Sequence, residues 1–259
     1  MGVMNLHDEF LQYLRKVKKR SESTLRQYKA VLQEFSEFYP ITEENFHRYL
    51  ERISSNAPKT QQMKLSVVKN FLEWLRDRGY INADRFWAEA EAPRDKSLPH
   101  YMTPDELKRF FDVIDDPYYK AVFRLLANTG MRISELLNLK EEDIDIFGGY
   151  ARIRIKGKGS KERVVQVSEE IVLQAKETGF FSKRVSARTL QRKMKEYLEK
   201  AGIKKRLTPH SLRHTFAIIL MENGVPLNRI QAILGHESIA TTSIYLKLLG
   251  ETEKLPKII

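Results

Sequence analysis

The sequence predicts a mainly α-helical chain with a small β-sheet: a helical bundle first, then an α+β domain. Three observations lead there. Apolar residues recur at helical spacing from residue 5 to residue 78. The stretch APRDKSLPH, residues 92–100, has two prolines, mixed charge and no periodicity, and reads as a linker between domains 1–91 and 101–259. From Gly149 the pattern shifts to β-branched and aromatic runs on either side of a glycine-bearing turn.

The elements follow in order. Phe10, Leu11, Leu14 and Val17 form the apolar stripe of a first helix. Ser23 is the expected cap of a second, whose inner face is Leu25, Tyr28, Val31, Leu32 and Phe35. A third helix spans Ile41–Ile53 with Thr42 as cap and Glu43 and Glu44 in its first turn. Thr60–Arg78 is a fourth, with Leu65, Val68, Phe71, Leu72 and Leu75 inside. The second domain opens at Thr103, a cap followed by Pro104 and two acids. Tyr118–Ala127 is a core helix, and Asn128-Thr129-Gly130 turns the chain into Arg132. Tyr150–Ile155 and Val164–Val167 form a hairpin, expected to belong to a three-stranded sheet. Residues 186–200 form a strongly basic helix capped by Ser186, with Leu190, Met194, Tyr197 and Leu198 inside.

Composition narrows the function. A chain of 259 residues with 42% hydrophobic residues fills two domains with ordinary cores. Its 45 Lys+Arg against 34 Asp+Glu give a net charge of +11, which points to a polyanionic partner, nucleic acid first. Lys183–Arg206 alone carries ten basic and two acidic residues. The absence of cysteine excludes disulfides, thiolate metal sites and cysteine nucleophiles. No apolar run approaches the ~20 residues of a membrane span, and the amphipathic, charged start is unlike a signal peptide, so the expected compartment is cytoplasmic. There is no internal repeat, no phosphate-binding glycine loop and no carboxylate cluster suited to two-metal chemistry.

The most informative stretch is Thr208–Tyr245, TPHSLRHTFAIILMENGVPLNRIQAILGHESIATTSIY. Thr208 and Pro209 begin a helix on which His210 and Arg213, three apart, share a face. Leu212, Phe216, Ile219 and Leu220 should face the core. Gly224 and Pro226 stop that helix, and a short one, Leu227–Leu234, ends at Gly235 with His236 in the turn. Ser238 is the expected cap of a last helix carrying Tyr245.

The run His210–His214 (H-x-x-R-H), the L-G-H of Leu234–His236 and a tyrosine nine residues later resemble the C-terminal signature of the tyrosine recombinases. Upstream, Arg132 in T-G-M-R-I-S-E-L is similar to that family's first active-site arginine, and the hairpin K-G-K-G-S-K-E-R, Lys156–Arg163, to its lysine-bearing turn. Four motifs in order are far more specific than any one of them. The resemblance implies a SAM-like, core-binding helical domain at the N-terminus and an α+β catalytic domain ending in a C-terminal tail. It also implies DNA contacts around Thr24 and Arg26; Lys161, Arg188 and Arg192 in the second domain are further DNA-binding candidates.

What it implies chemically is a covalent strand exchange. Tyr245 attacks a phosphodiester, forming a 3′-phosphotyrosyl link and releasing a 5′-hydroxyl. Arg132 and Arg213 clamp the phosphoryl oxygens, because a guanidinium fork stays ionised and meets two oxygens at once. His210 and His236 donate to the same oxygens, and one of them, His210 first, accepts the tyrosine proton. The leaving oxygen takes a proton from a hairpin lysine. The family pattern selects Lys158, with Lys161 its competitor and Lys156 in the same turn; spacing alone does not choose. Glu135 supports Arg132, and His214 is a supporting position. The energy of the broken bond is kept in the new ester, so neither ATP, metal nor other cofactor is expected.

Taken singly, each residue has an ordinary reading: a histidine capping a helix, a tyrosine in an amphipathic core, Arg132 paired with Glu135. Three functions compete for the set. The first is a site-specific recombinase of the Xer and integrase kind, a homodimer on an inverted-repeat DNA site and a homotetramer in the synapse. Its short N-terminal part favours the Xer type that resolves chromosome dimers over an integrase of a plasmid or virus. The second is a type IB topoisomerase-like nicking and closing enzyme, and the third a non-enzymatic architectural DNA-binding protein.

Overall fold

The computed structural model describes residues 3–82, 84–93, 99–157, 162–183 and 185–235, with side chains from Leu6 onward. The chain divides into two compact units, Met1–Ser97 and Leu98–Ile259; residues 94–98 of the expected linker lie outside the described residues.

The first unit is helical: α1 (Val3–Lys16), α2 (Glu22–Phe35), α3 (Glu43–Ser54) and α4 (Pro58–Asp77), with a 3-10 turn at Ser36–Phe38. The cap of α2 is Ser21, not Ser23: the Ser21 hydroxyl accepts from the Thr24 amide, and the helix starts two residues earlier than expected. Thr42 caps α3 as its sequence predicts, accepting from the Asn45 amide. Phe10, Leu14, Leu32, Phe35, Phe46, Phe71, Leu72 and Leu75 form the core, each removed from water at a gain of roughly 1.5–3 kcal/mol. Val17 is 64% exposed, because α1 ends at Lys16 and the stripe has no helix left to carry it. After α4, Glu73 accepts from Arg85 and from the indole of Trp87, fixing a returning segment whose Trp87 ring is fully buried.

The second unit contains α5 (Pro104–Asp112), α6 (Pro117–Thr129), α7 (Ile133–Asn138), β1 (Ile144–Phe147), β2 (Tyr150–Lys156), β3 (Glu162–Ser168), α8 (Glu169–Glu177), α9 (Ala187–Lys200), α10 (Pro209–Glu222) and α11 (Leu227–Leu234). Thr103 and Glu106 form a reciprocal capping box at the start of α5. The strands make one antiparallel sheet in the order β1-β2-β3, with Ile144 opposite Ile153 and Ile153 opposite Val165. Alternation along β2 and β3 buries Ala151, Ile153, Ile155, Val165 and Val167 and leaves Tyr150 and Val164 in solvent.

Helix α10 packs on α6, α9 and α11. It buries Leu212, Ala217 and Ile218 fully, whereas Phe216 and Leu220, predicted to face the core, sit half-buried around a smaller cluster with Ile230 and Leu234. Ile219 is likewise half-buried. No helix among the described residues is long and apolar enough to cross a membrane.

Candidate active site

The site begins at the end of α6. Gly130 takes a left-handed conformation, φ +60°, that a side chain would resist. A Cβ there would also lie 2.5 Å from Phe216 Cδ1 and 2.7 Å from Leu234 Cδ2. The turn delivers Arg132 to the N-cap position of α7. There its backbone amide donates to Glu135 Oε2 at 2.7 Å, and its Nη1 donates to Glu135 Oε1 at 2.8 Å.

Glu135 has a second arginine. Arg163, at the start of β3, donates Nη1 to Oε1 at 3.0 Å and Nη2 to Oε2 at 2.8 Å, while its Nε donates to the carbonyl of Ile233 at 2.7 Å. Burial alone would raise the Glu135 carboxyl, but the bonds from Arg163 and from the amide and side chain of Arg132 outweigh it and hold it at about 2. Ionised Glu135 and two guanidiniums leave a net positive charge beside the turn.

Arg213, on α10, is 1% exposed. Its Nη1 donates to the Gly130 carbonyl and its Nη2 to the Leu234 carbonyl at 2.7 Å. It therefore joins the turn two residues before Arg132 to the residue two before His236. The C-terminus of α11 gathers cations, Arg163 on Ile233 and Arg213 on Leu234, which suits the negative end of a helix dipole. Gly235, φ +67°, closes α11 with its amide bonded to the carbonyls of Gln231 and Ala232.

His210 is exposed on the first turn of α10, and its ring meets that of His214 edge-on at 4.7 Å. Further along the helix Thr215 is buried; its hydroxyl bonds the Ser211 carbonyl and accepts from the Met102 amide, fastening the start of the unit to α10.

The structure brings together Arg132, Glu135 and Arg213, with His210 and His214 on the same helix as Arg213. Lys158, Lys161, His236 and Tyr245 lie outside the described residues. Of the hairpin lysines, Lys156 bonds through Nζ to the buried Asp143 Oδ1 at 2.7 Å, a structural engagement. The DNA-binding candidates lie on helix surfaces. Thr24 is in the first turn of α2 with its hydroxyl on Ser21, and Arg26 is exposed beside a groove of about 320 Å³ also lined by Arg15 and Lys29. Arg188 is exposed on α9, while Arg192 pairs with Glu196 one turn on.

Sequence reasoning missed Arg163. In the sequence Arg163 stands only as the last residue of the K-G-K-G-S-K-E-R run. Strand alternation carried the signal, since residue 163 falls on the same face as Val165 and Val167 and an inward arginine needs a partner.

Comparison with known proteins identifies the family. Residues 100–251 match the phage integrase family, and residues 7–79 match the phage integrase N-terminal SAM-like domain. The chain is 32% identical to the tyrosine recombinase XerA of Pyrococcus furiosus over 94% of its own length and 90% of the relative's. It is 30% identical to the tyrosine recombinase XerC of Thermodesulfovibrio yellowstonii, covering 91% of this chain and 89% of that one. In fold it is similar to residues 75–356 of lambda integrase, solved as a dimer bound to a COC′ core site, with a TM-score of 0.81 over the whole of both chains at 17% identity. The chain belongs to the phage integrase family and is a tyrosine recombinase.

Proposed function

We propose that this recombinase exchanges DNA strands through a 3′-phosphotyrosyl intermediate on Tyr245, in the manner of Xer proteins. The observation that carries the reading is the pair of guanidiniums at one turn. Arg213 is fixed through the carbonyls of Gly130 and Leu234, and Arg132 stands two residues beyond Gly130 with its side chain 39% exposed.

In this reading the Tyr245 oxygen attacks the scissile phosphorus and gives its proton to His210. The bond from phosphorus to the 5′-oxygen breaks, and that oxygen takes a proton from Lys158. Charge that builds on the non-bridging oxygens is met by Arg132 and Arg213, held in place before the reaction starts and therefore free of reorganisation cost. His236 adds a donor, and Glu135 and His214 act in support. A 5′-hydroxyl from a partner strand then attacks the phosphotyrosyl phosphorus and returns Tyr245. The number of ester bonds is unchanged, so no nucleotide is consumed. Phosphate contacts from Thr24, Arg26, Lys161, Arg188 and Arg192 hold the duplex and carry no sequence information directly.

The relatives named XerA and XerC favour a chromosomal role, the resolution of chromosome dimers in the cytoplasm. We read the chain as a homodimer on an inverted repeat, with two such sites meeting as a tetramer; lambda integrase, similar in fold, is solved as a dimer on a core site and as a tetramer on a Holliday junction.

Covalent capture tests the reading. Protein mixed with sheared genomic DNA from its source, in EDTA, is denatured, and the linked fragments are sequenced beside those from Tyr245→Phe. Adducts from the unaltered protein alone, mapping to one chromosomal inverted repeat, are the expected result. Mapping to a mobile element would make it an integrase. Scattered adducts would favour a topoisomerase-like enzyme, and DNA binding without adducts an architectural protein.

A further inference from the structure

We propose that Arg163 is a positioning residue for strand cleavage: by occupying both oxygens of Glu135, it keeps that carboxylate from capturing Arg132 and leaves the Arg132 guanidinium free to take the phosphate. The inference rests on the recombinase reading above.

A carboxylate and a single arginine form a two-bond fork. Arg132 does not have that fork. It reaches Glu135 through Nη1 alone at 2.8 Å, while Arg163 makes the two-bond contact at 3.0 and 2.8 Å. With the Arg132 amide also on Oε2, each Glu135 oxygen accepts two bonds, and its lone pairs are filled. The Arg132 Nε and Nη2 have no partner among the described residues, and its side chain is 39% exposed against 11% for Arg163. One arginine is largely covered and spends its fork on the carboxylate; the other stays open.

Arg163 itself is fixed from a third side by the Ile233 carbonyl. It lies so close under Gly235 that a Cβ there would be 3.1 Å from Arg163 Cδ. The strand, the carboxylate and the end of α11 thus meet on one guanidinium. No lysine can reproduce this, since a single ammonium cannot cover both oxygens in a plane and a carbonyl besides.

Removing Arg163 alone leaves a buried Glu135 whose nearest cation is Arg132. The carboxylate then draws Arg132 inward as a fork, and the net charge of the Glu135–Arg132–Arg163 cluster (one carboxylate, two guanidiniums) falls from +1 to 0. Removing the carboxylate as well takes away the competitor, since deleting both members of a buried pair costs far less than deleting one.

The test uses a nicked duplex carrying the captured site, in which cleavage releases a short 5′-hydroxyl strand and traps the adduct. Adduct rate, DNA affinity and melting temperature are measured for the unaltered protein, Arg163→Met, Arg163→Lys and Arg163→Met/Glu135→Gln. The expected rate loss for Arg163→Met is on the order of 100-fold, with affinity little changed. The double variant recovers at least tenfold of it. A double variant no faster than Arg163→Met would overturn the proposal, because a merely structural role gives no such rescue. If Arg163→Met melts below the assay temperature, Arg163→Lys decides: a roughly tenfold loss at unchanged melting supports the proposal, and an unchanged rate overturns it. Failure of the unaltered protein to form any adduct overturns the recombinase reading and this inference with it. Normal adducts from Arg163→Met overturn the inference alone.

Discussion

Arg213 donates to the carbonyl of Gly130, a residue 83 positions earlier in the chain. The bond fastens α10 to the turn that presents Arg132. The second arginine of the site therefore holds the backbone of the first. Its other nitrogen holds Leu234, so one buried side chain sets the spacing between the Arg132 turn and the segment leading to His236.

Arg213→Lys tests whether geometry or charge is needed. An ammonium keeps the charge but lacks the rigid two-nitrogen fork that reaches the carbonyls of Gly130 and Leu234 at once. Adduct formation should fall at least 100-fold while DNA binding by gel shift persists. A loss below tenfold would show that the fork is dispensable.

Gly130→Ala places a methyl in a left-handed conformation and against Phe216 and Leu234. Strain and overpacking together should cost about 2–4 kcal/mol. Calorimetry should show a melting temperature lower by several degrees, with cleavage reduced even where the protein is folded. Gly79, with φ +71° and open space around it, is the control: substitution there carries the conformational cost without the clash.

Glu135 makes a pH prediction. Its carboxyl is held at about 2, below the ordinary 4.5, so its bonds stabilise the fold fully above pH 4.5 and lose that contribution as the pH falls toward 2. Glu135→Gln has no such titration. The stability difference between the unaltered protein and Glu135→Gln should be constant from pH 7 to 5 and shrink between pH 4.5 and 2 in urea titrations. A constant difference across that window would contradict the clamp.

The hairpin lysines should separate by role. Lys156 is tied to Asp143, so Lys156→Ala should lower the melting temperature slightly and leave cleavage within a few-fold. Lys158→Ala should slow cleavage strongly, and a substrate with sulfur in place of the bridging 5′-oxygen should restore it, because a thiolate leaves without a proton. Restoration in Lys161→Ala instead would move the general acid to that residue.

Much of the frame is legible in the sequence because it is local. Thr42, Thr103, Ser186 and the Thr208-Pro209 pair announce their helices through bonds that span three residues, and Gly130 and Gly235 mark turns whose φ only they adopt readily. Ser21 and Ser23 show the limit: both are good caps by residue type, and local chemistry does not choose between them. The fully buried Ile218 and the half-buried Phe216 swap expected roles because α10 faces two clusters rather than one. The Arg163–Glu135 pair spans 28 residues and the Arg163–Ile233 bond 70, and no periodicity encodes contacts at that separation.

The most direct test of the central claim is to map the covalent bond. Trapped adduct, digested with nuclease and then with trypsin, should yield Ile230–Lys247 carrying a nucleotide at Tyr245, the only tyrosine in that peptide. The linkage should be to a 3′-phosphate, and Tyr245→Phe should yield none. A nucleotide on another residue, Ser238 or Thr241 in the same peptide or a tyrosine elsewhere, would contradict the account.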